Sequence, residues 1–151
     1  MTDLSRAAAR VQSALEAAGI EARVVELPQS TRTAVEAAAA VGCEVAQIVK
    51  SLMFVDAAGE PVMVLTSGTN RVDEKRLGLT RATAELVREK TGYAIGGVPP
   101  VGHATPIRTL IDEDLLRFER VWAAAGTPNA VFELSAAELP RITGGEVASV
   151  S

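Results

Sequence analysis

Two apolar runs, Val45 to Val55 and Pro61 to Thr66, stand on either side of Asp56-Ala57-Ala58-Gly59. Apolar runs of this length joined by a glycine-containing turn form a β-hairpin of core strands, so the chain must build a sheet around them. Lys50 interrupts the first run. An ammonium left unpaired in a core is costly, so it must reach a partner, solvent or a cleft. The pattern predicts an edge position for Lys50, with the stem lying along apolar surface and the charge in water.

Other segments supply the elements that cover the sheet. Leu4, Ala7, Ala8, Val11, Leu15 and Ala18 recur at helical spacing behind Thr2 and Asp3 and end at Gly19. Ala22 to Leu27 reads as a short strand. Thr33-Ala34-Val35-Glu36 is a capping box that opens a helix running to Ala40 and stopping at Gly42. Asp73 caps a short helix through Leu77, Thr80 to Thr83 reads as a brief strand, and Ala84 to Thr91 reads as a helix ended by Gly92. Strands follow at Ile107 to Ile111, Val121 to Ala125 and Asn129 to Leu134, with Asp112 capping a short turn through Arg117. Ser135-Ala136-Ala137-Glu138 repeats the capping-box pattern, and Glu146 to Val150 reads as a terminal edge strand. These elements predict an α+β fold, a mixed, mostly antiparallel sheet of about six or seven strands flanked by helices. The 151 residues are expected to form one domain over 1–151 with a single core.

Composition narrows the function. Aromatic residues make up 3% of the chain, too few for the stacking platforms of single-strand nucleic acid binders. A net charge of -4 argues against broad adhesion to nucleic acid or to anionic membrane. Cys43 is the only cysteine and His103 the only histidine, so neither an internal disulfide nor a closed four-ligand zinc site is expected. Cys43 reads as a small buried residue, and Asp112, Glu113 and Asp114 as a solvated helix start. No apolar stretch reaches membrane-spanning length and the first ten residues lack a signal core. The expectation is a cytoplasmic protein without metal or cofactor.

The stretch from Tyr93 to His103 is the least regular in the chain. Three glycines allow tight turns and close approach, while Pro99 and Pro100 fix φ and remove two donors. The loop is thereby stiff, and the amides of Gly102 and His103 are free to be aimed at an oxygen atom, which suits an oxyanion. It lacks the lysine ending of a phosphate-binding loop and the spacing of a dinucleotide-binding turn. A serine or cysteine triad would need a partner for His103 that the sequence does not offer.

Thr33-Ala34 through Gln47-Ile48-Val49-Lys50-Ser51-Leu52, followed by Gly97-Val98-Pro99-Pro100-Val101-Gly102-His103, resembles the YbaK family of aminoacyl-tRNA deacylases. That family includes the editing domain inserted in bacterial prolyl-tRNA synthetases. Its marks are a lysine in a K-x-L setting at the head of a strand and a G-x-x-P-x-G-H loop, here Lys50 and Gly97, Pro100, Gly102 and His103. The resemblance implies hydrolysis of the ester joining a wrongly attached amino acid to the terminal ribose of a tRNA. Alanine, cysteine and serine esters stay open, with tRNA(Pro) the expected carrier. In this reading the amides of Gly102 and His103 meet the oxyanion, Lys50 holds the ester or terminal phosphate, and the neighbouring ribose hydroxyl helps activate water. His103 then mainly orients the loop. Thr31, Thr33, Ser51, Ser67, Gly68, Gly97 and Pro100 are the expected substrate-binding residues. Arg6, Arg10, Arg32, Arg71, Lys75 and Arg76 are candidate phosphate contacts. The implied partner is the acceptor end of a mischarged tRNA, with an aminoacyl-tRNA synthetase as a second, and neither membrane nor DNA. The competing readings are a non-catalytic module of the same fold that grips an aminoacyl or nucleotide ligand or a protein, and an unrelated small esterase.

Overall fold

The computed structural model describes residues 4–151; Thr2 and Asp3, expected to lead into the first helix, lie outside them. In chain order the elements are α1 (Arg6–Ala17), β1 (Val25–Glu26), α2 (Ala34–Val41), β2 (Ile48–Val55), β3 (Pro61–Ser67), α3 (Glu74–Leu77) and β4 (Thr80–Arg81). They continue with α4 (Ala84–Thr91), β5 (Arg108–Asp112), β6 (Arg120–Ala124), β7 (Ala130–Ser135), α5 (Glu138–Thr143) and β8 (Glu146–Ala148). Short 3-10 helices at Val45–Gln47 and Glu113–Arg117 precede β2 and follow β5.

All eight strands lie in one sheet in the order β1-β7-β6-β2-β3-β5-β8, with β4 pairing to β2 off that path. Pairings β1–β7, β2–β3, β2–β4 and β6–β7 are antiparallel, whereas β2–β6, β3–β5 and β5–β8 are parallel. The α+β architecture with a mixed, mainly antiparallel sheet is therefore the one expected, and the strand count is eight rather than six or seven because every strand segment read from the sequence pairs, the two-residue β1 and β4 included. The hairpin forms with Lys50 opposite Thr66. Side chains along β3 alternate between two clusters: Met63 and Leu65 join the main core with Phe132, Leu134 and the buried Ala8, Val11 and Leu15 of α1. Val62 and Val64 pack on the opposite face with Phe54, Leu79, Leu110 and Val150. A strand buried on both faces has to be nearly continuous in apolar residues, which is the pattern of the second run.

Local differences from the sequence reading have local causes. Only Val25 and Glu26 of the Ala22 to Leu27 segment pair as a strand, because the Gln12 side chain takes the backbone groups before them: its amide donates to the Ala22 carbonyl at 3.1 Å and its oxygen accepts from the Val24 amide at 2.8 Å. The capping box at Ser135 does not form. Ser135 stays in the β6–β7 ladder opposite Arg120, and α5 begins behind Ala137 without a side-chain cap. The box at Thr33 and Glu36 is complete and Gly42 ends α2 in the left-handed conformation, φ 77°. Among the described residues no helix is long and apolar enough to cross a membrane.

Candidate active site

The sheet has a gap beside β2. On one side β2 is paired with β3 along almost its whole length, but on the other β6 reaches only Ile48 and Val49, and β4 only Phe54 and Val55. Residues 50–53 have no strand partner there. The Ala82 amide donates to the Met53 carbonyl at 3.2 Å across this gap, so the polar backbone groups of Met53 face it. Those of Ser51, two residues back on the same strand, face it too. A cavity of about 400 Å³ opens at this point. Its apolar wall includes Ile48, Leu52, Val87, Val98 and Trp122, and the residues leading into α2, Thr31 to Ala34, close another side. Arg32, Lys50 and Arg81 also line it, and no carboxylate does.

Lys50 is placed by a chain of hydrogen bonds. Its Nζ donates to the Asn70 carbonyl at 2.7 Å. The Asn70 side-chain amide donates to Asp112 at 2.9 Å and to Asp114 at 2.8 Å, and the Asn70 backbone amide closes the turn onto the Ser67 carbonyl. Asp112 is buried and accepts from the Thr66 hydroxyl at 3.1 Å, the Ser67 amide at 2.9 Å and, through its other oxygen, the Asp114 amide at 2.9 Å. It caps the 3-10 turn as expected, but it is no solvated helix start: it is the anchor of the turn that receives Lys50. Ser67 is buried, with its hydroxyl donating to the Ala46 carbonyl at 2.6 Å. A β-carbon at Gly68 would lie 2.2 Å from the Val45 carbonyl oxygen, so only glycine fits. Ser67 and Gly68 thus hold the turn rather than line the cavity.

The expected edge position for Lys50 is corrected in the same way. β2 is an interior strand, and the lysine is half-buried beside a local opening instead of at a sheet border. Burial pushes its pKa below the ordinary lysine value, the nearby Arg71 and Arg81 cations push it further down, and Asp112 opposes them. The result is a cation held in place by one carbonyl and kept less well hydrated than a surface lysine.

The Tyr93 to His103 loop serves two places. At its start Gly97 closes a turn by donating to the Ala94 carbonyl at 3.1 Å, and Gly96 takes φ 102°. Ile95, Gly96 and Val98 line the cavity with Lys50, and the Arg32 stem covers Gly96. Gly97 does not line it. A β-carbon there would come within 2.8 Å of the Thr127 amide nitrogen, and the Gly97 carbonyl accepts from the Gly126 amide, so this glycine seats the loop on the turn between β6 and β7. Pro100 is buried outside the lining. Gly102 and His103 line a separate, shallow hollow with Arg6, Arg10 and Ser13 of α1. The convergence of Lys50 with the amides of Gly102 and His103 in one cavity is therefore not the arrangement found, because the proline pair carries the chain away from β2 between Val98 and Gly102.

His103 turns back on its own loop. Its Nε2 lies 2.7 Å from the Pro99 carbonyl oxygen, which can only accept, so Nε2 carries the proton. Burial pushes the imidazole below its usual pKa against the contrary pull of that hydrogen bond, leaving a neutral ring. Thr31, Thr33 and Ser51 do line the Lys50 cavity. Thr31 is tied to the Pro128 carbonyl at 3.1 Å, whereas the Ser51 hydroxyl is buried with no partner. Gly96, Arg81 and Trp122 in the lining, and Asn70 and Asp112 behind it, are positions at the cavity that the sequence reading did not assign to the site. Gly96 had a signal in the adjacent glycine pair, and Asp112 in its place directly after an apolar strand. Cys43 is half-buried rather than buried and lies outside the cavity lining, and burial together with Glu133 and Glu44 pushes its thiol pKa up, which disfavours the thiolate. Among the described residues no group of three or more His, Cys, Asp or Glu is placed to hold a metal ion.

An α+β domain whose mixed sheet opens beside a lysine-bearing strand, roofed by a glycine-proline loop, is the YbaK-type editing architecture. The chain belongs to the aminoacyl-tRNA editing domain family, whose model matches residues 28–142. A solved structure described as a candidate trans-editing enzyme for prolyl tRNA synthetase is 54% identical, with a TM-score of 0.91 over 99% of each chain. The uncharacterized protein YwhH of Bacillus subtilis is 31% identical over 130 residues, 82% of this chain and 83% of that protein. The candidate Cys-tRNA(Pro)/Cys-tRNA(Cys) deacylase EbsC of Enterococcus faecalis is 24% identical over 121 residues, 76% of this chain and 74% of its own length.

Proposed function

We propose that the protein, acting as one unit over residues 1–151, is a trans-editing deacylase that hydrolyses the ester of a small amino acid mischarged on tRNA, with tRNA(Pro) the leading carrier. One observation carries the reading: a held, poorly hydrated lysine shares a largely apolar cavity with Ser51 and Gly96, and no histidine, cysteine or carboxylate lines it to act as, or to activate, a protein nucleophile. Such a site fits attack by water on an ester that is already activated. Water adds to the acyl carbon, the carbonyl oxygen becomes anionic, and the bond to the ribose oxygen then breaks. That oxygen takes the proton the water gives up. Lys50 and the Gly96 amide are the donors assigned to the oxyanion, Gly96 replacing Gly102 in that role because it shares the Lys50 cavity. The vicinal ribose hydroxyl of the substrate is the group assigned to activate water. Thr31, Thr33 and Ser51 supply polar contacts to the aminoacyl group, and Ala34 and Ala37 give its side chain an apolar wall.

Apolar pockets discriminate a single methylene by only about 1 to 3 kcal/mol, which is why removal after synthesis is useful. The relative described by reference to prolyl-tRNA synthetase supports that enzyme as the second partner. The test is a panel of alanyl-, cysteinyl- and seryl-tRNA(Pro) incubated with the native protein and with Lys50→Ala. Loss of at least one ester with the native protein and its slowing in the variant are expected. Equal rates in both would remove Lys50 from the mechanism, and no hydrolysis on any substrate would favour a binding module of the same fold.

A further inference from the structure

We propose that the hollow between α1 and the end of the Tyr93 to His103 loop is a second, non-catalytic site that binds a backbone phosphate of the RNA whose acylated end occupies the Lys50 cavity. This rests on the deacylase reading for the identity of the RNA, but the site itself is built from other residues. Arg6 and Arg10 stand four positions apart on α1, so their guanidinium groups rise from the same helix face, with Ser13 a further turn along. All three are exposed and no carboxylate lines the hollow. Arg10 is fixed in place: its guanidinium lies 4.7 Å from the centre of the Tyr93 ring.

The opposite wall is main chain. Gly102 takes φ 76° at the end of the proline pair, and its amide and that of His103 donate to no acceptor among the described residues. The amides on either side of this stretch behave differently: Ala104 and Thr105 donate to the Thr91 and Lys90 carbonyls. Tyr93, buried beneath, has a hydroxyl with no hydrogen-bond partner, 3.7 Å from where a β-carbon of Gly102 would lie. The guanidinium forks and consecutive free amides that border the hollow are all donors, and their common complement is a phosphate with its several acceptor oxygens. The hollow is too open to enclose a small molecule, which suits one phosphate in a continuous backbone.

The distance fits the same strand. Gly96 lines the cavity and Gly102 the hollow, and six residues span at most about 21 Å. At about 3.4 Å of rise per nucleotide, that reaches no further than roughly the last six nucleotides before the ester. The phosphate therefore belongs to the acceptor end itself.

The probe is an uncharged RNA hairpin carrying the tRNA acceptor stem and its single-stranded end, titrated by fluorescence anisotropy at several salt concentrations. Arg10→Gln and Arg6→Gln are expected to weaken binding about three- to tenfold each and to flatten the slope of log affinity against log salt by about one per contact removed. Ser13→Glu, which leaves the Arg10–Tyr93 stack untouched, is expected to weaken binding as well. Native affinity and slope in all three variants overturn the proposal, as does binding to anionic lipid vesicles in place of the hairpin. Because the hairpin carries no ester, the two readings fail separately. Weaker hairpin binding in the variants, with no deacylation by the native protein, leaves the hollow standing without the enzyme. Deacylation with native hairpin binding in the variants does the reverse.

Discussion

The Lys50 cavity and the α1 hollow are both lined by cations, are joined by one loop, and are built on opposite physical terms. The cavity is a defect in a sheet: two neighbouring strands pair only with the ends of β2, so backbone groups and a lysine in its middle are left facing a largely apolar space of about 400 Å³. The hollow is a surface groove in which exposed guanidinium groups meet the end of a loop. Charge works differently in the two. In a poorly hydrated cavity a single fixed ammonium interacts strongly with a developing oxyanion, whereas at an exposed surface the same charge is screened and serves to hold a phosphate. The difference teaches where to expect chemistry: at the cation whose position is set by buried hydrogen bonds, not at the one that is most exposed.

The largest expected effect breaks the cavity alone. Lys50→Ala should lower turnover of a mischarged tRNA by about a hundred- to a thousandfold while leaving the thermal transition nearly unchanged, as single-turnover assays and calorimetry would read. Lys50→Arg should not restore it, since a planar fork cannot take the place of a compact ammonium against one carbonyl. Next in size is Asp112→Ala, which strands the Thr66, Ser67 and Asn70 donors around a buried position and should cost about 3 kcal/mol of unfolding free energy in urea titration.

A paired substitution sharpens the contrast. Gly96 and Gly102 both hold positive φ, so Gly96→Ala and Gly102→Ala should each lose about 1 to 2 kcal/mol of stability. Only the first should slow turnover at saturating substrate, by about tenfold or more, because only Gly96 borders the Lys50 cavity. Equal slowing by both would join the two regions into one site.

The smallest effect concerns His103. In the unfolded chain its pKa is about 6.5, and in the folded protein burial holds it lower. Below pH 6.5 the unfolded state takes up a proton that the folded state refuses, so stability is fully present above that value and falls as pH drops toward the folded pKa. The slope is at most about 1.4 kcal/mol per pH unit. His103→Gln should flatten the difference in urea midpoint between pH 7 and pH 5 relative to the native protein.

Much of this could be seen in the residues themselves. The hairpin, the capping box at Thr33, the glycine stops after α2, α3 and α4, and the stiff loop are local features, governed by dihedral preference, capping and the two-residue period of strands. Lys50 stood out for the same reason, as a charge in an apolar run. The reading failed where partners distant in the chain decide. Asp112 looked solvated because its neighbours Glu113 and Asp114 are charged; it is buried because a turn some forty residues earlier brings three donors to it. Gly102 looked like the reactive end of the loop and Gly96 an ordinary glycine, since nothing local tells which end of a rigid loop will meet β2.

What the sequence by itself determined is the set of elements, the mixed α+β class, the family motifs and the lysine. Tertiary structure alone decided that β6 and β4 leave residues 50–53 unpaired, that Asn70 and Asp112 hold the ammonium, and that the loop divides its glycines between two hollows. Sheet order and strand ends are set by contacts between segments far apart in the chain, and the cost of burying each polar group depends on the whole set of partners that fold around it.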